Sequence, residues 1–82
     1  MAGALGEYDE ARQLLEDGLE ILRPLGDQIG VMLYLHTLGG DVRVLGYREY
    51  SRKLLQEGLK LAEAHDYPMG EARAQGDLGA LA

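Results

Sequence analysis

The sequence has no cysteine, two prolines and a single threonine, and its acidic residues outnumber its basic ones. Without cysteine, the chain can form neither a disulfide framework nor a thiolate zinc site. The net charge of −6 argues against a nucleic-acid partner, because such proteins normally present a clustered basic face. No apolar run approaches the roughly 20 residues of a membrane span, and Met1–Gly6 is unlike a signal peptide. Together these two features predict a cytoplasmic protein without membrane contact.

Valine is also sparse, and no segment alternates apolar and polar residues over the length of a strand. Apolar residues instead follow helical spacing. We predict four helices, at residues 7–24, 28–45, 47–64 and 68–80, separated by short breaks that carry glycine or proline. Short linkers make consecutive helices antiparallel neighbours, so the fold class is expected to be all-α, a stack of helical hairpins.

The predicted packing faces of the first two helices differ in width. Glu7, Asp9 and Glu10 fall in the first turn of the first helix, where the helix dipole favours acidic side chains. The packing face of that helix consists of Ala11, Leu14, Leu15, Gly18, Leu19, Leu22 and Leu25. The second helix has a wider face, which predicts a central position with burial on two sides. This wider face contains Ile29, Met32, Leu33, Leu35, Leu38, Gly39, Val42 and Leu45.

The chain repeats itself at a shift of forty positions, with ten identities in forty-two aligned pairs, most of them leucine or glycine. Fixed-period similarity of this kind marks stacked helical units that cannot bury their apolar faces alone. Gly18 aligns with Gly58, and Gly39 aligns with Gly79. A glycine inside a helix costs about 1 kcal/mol relative to alanine, so we expect a neighbouring helix to approach closely at all four. The alternative is that these glycines mark helix ends.

Several segments resemble the tetratricopeptide repeat (TPR), in a long variety of about forty residues that occurs in large bacterial transcription activators and in cell-polarity adaptors. These segments are Leu38-Gly39, Leu78-Gly79 and the stretch from Leu5 to Ala11. The chain departs from the family pattern at Leu35 and Val42, which replace aromatic residues, and at Ser51, which replaces alanine. The resemblance implies a single short α-solenoid, with a half repeat at 1–26, a full repeat at 27–66 and a half repeat at 67–82.

The resemblance also implies a function, that of a non-catalytic scaffold within a larger regulator or adaptor, without a cofactor, that presents a groove or face to a protein or peptide. In this family the first helix of each repeat lines the groove. Carried over by position, the partner-binding residues are expected to be Leu33, His36, Thr37, Gly40, Arg43, Arg73 and Asp77. The alternative is that Leu33 packs against a further repeat or subunit and that the others are merely exposed.

No residue pattern favours catalysis or a metal site. His36 and His65 are the only histidines and fall on different helices. Ser51 lies on a predicted packing face, and adjacent side chains such as His36 and Thr37 point about 100° apart on a helix. We therefore predict neither an enzyme nor a metal protein.

Two further expectations concern surfaces. The acidic face of the first helix is expected to be exposed to solvent, and the alternative is that it steers a basic partner. This helix is also placed to form ion pairs with the basic third helix.

The alternative to groove binding is that the chain is a structural element that assembles with copies of itself. Solenoids generally need about three repeats, so the exposed helical ends are predicted to pair with a second copy, either by end-to-end stacking or by exchange of a terminal helix, with a two-fold dimer as the default symmetry.

Overall fold

Four α-helices joined by tight turns form the part of the chain that the structure describes. The computed structural model covers the backbone of residues 3–81 and the side chains of residues 6–81. The helices are α1 (Gly3–Leu25), α2 (Gln28–Val44), α3 (Arg48–Ala64) and α4 (Pro68–Leu81). There is no strand within residues 3–81, so the all-α prediction is confirmed. The bounds of α2, α3 and α4 agree with the predicted ones to within a residue.

Helix α1 begins earlier than predicted, at Gly3 rather than at residue 7. Glu7, Asp9 and Glu10 therefore lie beyond its first turn, and the prediction that they stabilise the helix start through the dipole is wrong. Asp9 instead accepts a hydrogen bond from Arg12 at 2.8 Å. Arg12 also contacts Glu16 at 2.9 Å, so one guanidinium links the acidic side chains of two successive turns.

The three turns share a backbone device. Each contains one residue with positive φ, at Gly26 (76°), Gly46 (93°) and Asp66 (51°). At the end of α2, the N–H of Gly46 donates to the carbonyl of Arg43 at 3.0 Å, and the following N–H donates to the carbonyl of Val42 at 2.8 Å. This pairing is the Schellman motif, which satisfies the last carbonyls of a helix and normally uses glycine at the left-handed position. The three residues with positive φ lie half a repeat apart, and the third is aspartate instead of glycine.

Replacing Asp66 with glycine is expected to raise the free energy of unfolding by about 0.5–1 kcal/mol, because the left-handed conformation strains a residue with a Cβ. Urea denaturation followed by circular dichroism measures the change. The control is Asp17→Gly, the same replacement at an exposed position inside α1, which should lower the stability. Destabilisation by Asp66→Gly equal to that of the control would contradict the interpretation of the turn.

Helix α2 is central, as predicted, and packs against the other three helices. Its buried side chains join residues of α1 and α3 in one apolar cluster. This cluster consists of Leu19, Val31, Leu35, Leu38, Val42 and Leu54. Val31 was absent from the predicted packing face, whereas Ile29, which was included, is exposed.

The predicted packing face of α1 is partly wrong. Leu19 is buried, but Leu14 and Leu25 are exposed, as is Ile21. Leu14 is 71% exposed, whereas its counterpart one repeat later, Leu54, is only 7% exposed. The two leucines occupy the same position in the repeat, so the difference reflects their neighbours. Leu54 joins a buried cluster with Leu19 and residues of α2, and its helix packs between α2 and α4, whereas α1 packs against α2 alone among the described helices.

Three of the four recurring glycines lie at close contacts, as predicted. A Cβ on Gly39 would lie 2.8 Å from Cδ2 of Leu55, and a Cβ on Gly58 would lie 3.3 Å from Cε1 of His36. Gly18 faces the ring of Tyr34. For Gly79 the prediction is wrong within the described chain, because no side chain or neighbouring helix lies within 4 Å of its Cβ position.

Side chains tie α1 to α3 at two places. Arg23 on α1 contacts Glu57 on α3 through two hydrogen bonds, of 2.5 and 3.1 Å, and the hydroxyl of Tyr50 donates to Glu16 at 2.5 Å. Burial and the hydrogen bond to Glu16 raise the pKa of Tyr50 to about 12. Ion pairing between α1 and α3 was predicted with the opposite polarity, since the base lies on α1 and the acid on α3.

Candidate functional site

The candidate site lies between α2 and α4. Because successive helices are antiparallel, α2 and α4 run parallel and contact one another on one side of the molecule. A small pocket of about 110 Å³ opens between them. Its lining residues are Leu33, His36, Tyr67, Met69, Gly70 and Arg73. The resemblance predicts that α2 and α4 are the first helices of two successive repeats, the elements that line the groove in that family.

Gly70 sets the close approach of α4 to the rest of the molecule. A Cβ at this position would lie 2.7 Å from the ring of Tyr67, 2.9 Å from Sδ of Met32 and 3.1 Å from Cβ of Ala62. The first turn of α4 therefore rests on α2 and α3 at once. This contact holds Tyr67 and Met69 at the mouth of the pocket, where Met69 is largely exposed.

His36 forms the inner wall of the pocket. Its side chain is only 2% exposed, and neither ring nitrogen has a hydrogen-bond partner among the described residues. The ring lies over Gly58, where the absence of a side chain on α3 leaves room for it. Burial lowers the pKa of His36, and the positive charge of Arg73 lowers it further, while Asp77 acts in the opposite direction. His36 therefore resists protonation in the folded chain.

The lowered pKa of His36 predicts loss of stability in mild acid. Neutral His36 makes its full contribution to the free energy of unfolding above the ordinary histidine pKa, near 6.5. As the pH falls below that value, the unfolded chain takes up a proton before the folded one does, and the free energy of unfolding decreases. NMR titration of the His36 Cε1 proton tests this. A midpoint at or above 6.5, the ordinary histidine value, would contradict the expectation.

The structure brings together three of the seven predicted site residues, Leu33, His36 and Arg73. His36 was expected on an exposed groove face but is buried beneath it. The others lie outside the pocket, with Thr37 and Arg43 exposed and Gly40 and Asp77 half-buried. The hydroxyl of Thr37 donates to the carbonyl of Leu33 at 3.1 Å, so a local backbone group already uses it.

Tyr67, Met69 and Gly70 line the pocket, but sequence reasoning did not assign them to the site. Tyr67 falls in the break before the predicted fourth helix, and Met69 falls at the start of that helix. The repeat carried a signal that could have found Gly70, because it aligns with Gly30 at the same position near the start of α2. Tyr67 lines the pocket because of the backbone conformation just before α4. The helical period of apolar residues does not predict that conformation.

A larger cavity, of about 460 Å³, lies on the opposite side, between α1 and α3. Its polar side chains largely pair with one another, through the contacts of Arg23 with Glu57 and of Tyr50 with Glu16. Binding there would have to replace these contacts. The α2–α4 pocket has apolar walls and a charged side chain, Arg73, with no ion pair among residues 6–81, so we take it as the candidate site despite its smaller volume.

Other chemistries find little support in residues 3–81. No three histidine, aspartate or glutamate side chains of this range are grouped closely enough to hold a metal ion. The ring of His65 contacts Oε1 of Gln28 at 2.5 Å, far along the chain from His36. The hydroxyl of Ser51 is fully buried and donates to the carbonyl of Gly39 at 2.7 Å. None of the helices in this range is long and apolar enough to cross a membrane.

Neither a protein-family model, nor a curated protein, nor a solved structure matches this chain. The tetratricopeptide assignment therefore remains a prediction from the residues.

Proposed function

We propose that the chain is a cytoplasmic, non-catalytic protein-interaction module of the TPR type, and that the α2–α4 face receives a segment of a partner protein. The repeat, the stacked hairpins and the parallel pairing of α2 with α4 support this proposal. In this proposal the module acts by presenting a rigid surface, within a larger regulator or adaptor.

The observation that carries the proposal is the character of the α2–α4 pocket. Leu33 is 45% exposed and Met69 is 76% exposed, and they lie on either side of an apolar depression. Arg73 stands in the same lining. An apolar anchor site with a charged group beside it is a common arrangement for recognition of a peptide, because the apolar contact contributes affinity and the charge fixes orientation.

Selection of random peptides by phage display tests the proposal, followed by mapping of enriched peptides on the isotope-labelled chain by amide chemical shifts. We expect shifts centred on the pocket and weaker binding by at least about tenfold in Leu33→Ser and Met69→Ser. The control is Leu14→Ser, which removes a leucine that is 71% exposed, against 45% for Leu33, from the outer face of α1. Peptides that map elsewhere, or that Leu14→Ser weakens equally, would refute groove binding.

A second candidate function, structural self-assembly, is favoured by the outer face of α1. Leu14, Ile21 and Leu25 are each about two-thirds or more exposed and follow helical spacing, which forms an apolar stripe on one side of the helix. Their counterparts on α3 are Leu54, Leu61 and His65, and Leu54 is buried. In a stack of repeats, this stripe is the surface that a neighbouring hairpin covers.

Light scattering over a range of micromolar concentrations tests self-assembly. We expect the mean mass to rise with concentration, and Leu14→Gln to reduce that rise without changing the helical content. A well-folded monomer at every concentration would eliminate this candidate and leave groove binding.

A further inference from the structure

Helices α1 and α3 face each other across the cavity of about 460 Å³, and side chains bridge the gap between them. On the α1 side the facing surface consists of Glu16, Leu19, Glu20 and Arg23. On the α3 side it consists of Tyr50, Lys53, Leu54 and Glu57. Leu19 and Leu54 belong to the same buried cluster, and the polar ties to either side are Glu16 with Tyr50 and Arg23 with Glu57.

The forty-residue repeat allows this contact to be continued beyond the chain. Advanced by one repeat, the α1 surface becomes Gln56, Leu59, Lys60 and Glu63, which lies on the outer side of α3. Moved back by one repeat, the α3 surface becomes Glu10, Gln13, Leu14 and Asp17, which lies on the outer side of α1. The same step that places α3 against α1 thus places Leu14 of one copy against Leu59 of another.

We propose that two copies of the chain associate head to tail, with α1 of one copy packed on α4 of the other, as α3 packs on α2, and with the outer face of α1 facing the outer face of α3. The proposal rests on the self-assembly candidate and specifies its geometry. It differs from a two-fold dimer because each copy uses two different surfaces, so the contact does not close on itself and can continue into longer stacks.

Gly79 provides independent support. In the chain, Gly39 of α2 receives the side chain of Leu55 from the following helix, close enough that a Cβ would lie 2.8 Å away. One repeat later, Gly79 of α4 occupies the position of Gly39, but no side chain or neighbouring helix among residues 6–81 lies within 4 Å of its Cβ position. In the head-to-tail stack, α1 of the second copy is the helix that follows α4, and its Leu15 corresponds to Leu55. Leu15 is half-buried in the single chain.

Charge favours this arrangement over a pairing of two α1 helices. The outer face of α1 carries Glu10 and Asp17, for which the described residues supply no ion pair, so two such faces would repel each other. The outer face of α3 supplies Gln56 and Lys60, both exposed. One contact is unfavourable, because Glu63 of one copy meets Asp17 of the next, at the position where Arg23 meets Glu57 within the chain.

Complementation between two blocked variants tests the proposal. Leu14→Glu blocks the α1 face, and the double variant Gln56→Glu/Lys60→Glu blocks the α3 face; all three positions are exposed, so folding should be preserved and circular dichroism checks it. In sedimentation velocity experiments, we expect the mean sedimentation coefficient of the unmodified chain to rise with concentration. Each blocked variant alone should sediment as a monomer. A mixture of the two variants should form a one-to-one dimer that grows no further, since one free face of each kind remains.

The unfavourable contact supplies a second test. Glu63→Arg should strengthen association by about threefold to tenfold, because it re-creates across the interface the ion pair of Arg23 with Glu57. The control is Glu49→Arg, the same charge change at an exposed position outside the proposed contact.

The outcomes separate this proposal from the function on which it rests. Association of the unmodified chain, with blocked variants that stay monomeric in the mixture or a Glu63→Arg variant no stronger than its control, would overturn the head-to-tail geometry and leave self-assembly standing. An unmodified chain that stays monomeric at all concentrations would overturn both and leave groove binding untouched.

Discussion

Replacing Leu54 with alanine is expected to lower the free energy of unfolding by about 2–5 kcal/mol, because the removed side chain leaves a cavity in the buried cluster between α1, α2 and α3. The matched replacement Leu14→Ala should change it by less than about 0.5 kcal/mol, since that side chain is 71% exposed. The two leucines occupy the same position in successive repeats, so the comparison isolates the effect of tertiary burial from that of sequence. Urea denaturation followed by circular dichroism at low protein concentration measures both.

The size of the Leu54→Ala effect matters because a chain of this length has a total stability of only about 4–12 kcal/mol. Part of the Leu54→Ala protein would then be unfolded even without denaturant. Leu54→Met, which conserves volume, should therefore cost less than about 1.5 kcal/mol and provides a variant that remains measurable. Equal costs for Leu54→Ala and Leu14→Ala would contradict the packing described for α3.

The second large effect is expected from Gly58→Leu. A Cβ at this position already lies 3.3 Å from Cε1 of His36, whose ring is enclosed between α2, α3 and α4. A leucine has no space there, so the variant should lose roughly 1–3 kcal/mol through overpacking, although leucine favours a helix more than glycine does. Thermal unfolding followed by circular dichroism measures the change.

The control for Gly58→Leu is Gly76→Leu. Nothing lies within 4 Å of the Cβ position of Gly76, so there the higher helix propensity of leucine should raise the stability, by up to about 1 kcal/mol. The two variants make the same exchange in α3 and α4 with opposite expected signs. A higher melting temperature for Gly58→Leu would mean that His36 can move away, and the account of the pocket wall would then be wrong.

Gly58 and His36 connect the packing of the helices to the proposed function. The glycine leaves room on α3 for the imidazole, which lines the pocket together with Leu33 and Arg73. Substitution of Gly58 should therefore disturb the proposed peptide binding as well as stability.

Helix positions could be predicted from sequence because they depend on local features. The turns are marked by Gly26, Gly46 and the Asp66-Tyr67-Pro68 segment, and each interrupts an apolar pattern of helical period. The start of α1 was placed too late, since its first residues carry no capping signal and Leu5-Gly6 matches a turn one repeat later. In the structure α1 continues through that position.

The candidate site was only partly predictable. Position in the repeat identified Leu33 and Arg73, because the resemblance assigns the groove to the helices on which they lie. It did not distinguish the buried His36 from the exposed Thr37 beside it, since that difference depends on where α3 and α4 lie relative to α2. Met69 and Tyr67 were missed for the same reason.

The sequence by itself determined the helices, their order and their stacking, because the period of apolar residues, the turn residues and the forty-residue repeat are all written along the chain. Only the tertiary structure decided which member of each repeated pair is buried. Leu54 is covered and Leu14 is not, and Gly39 receives a leucine where Gly79 receives none. Burial is a property of neighbours, and in a stack of similar units the same residue is interior or surface according to which helices lie against it.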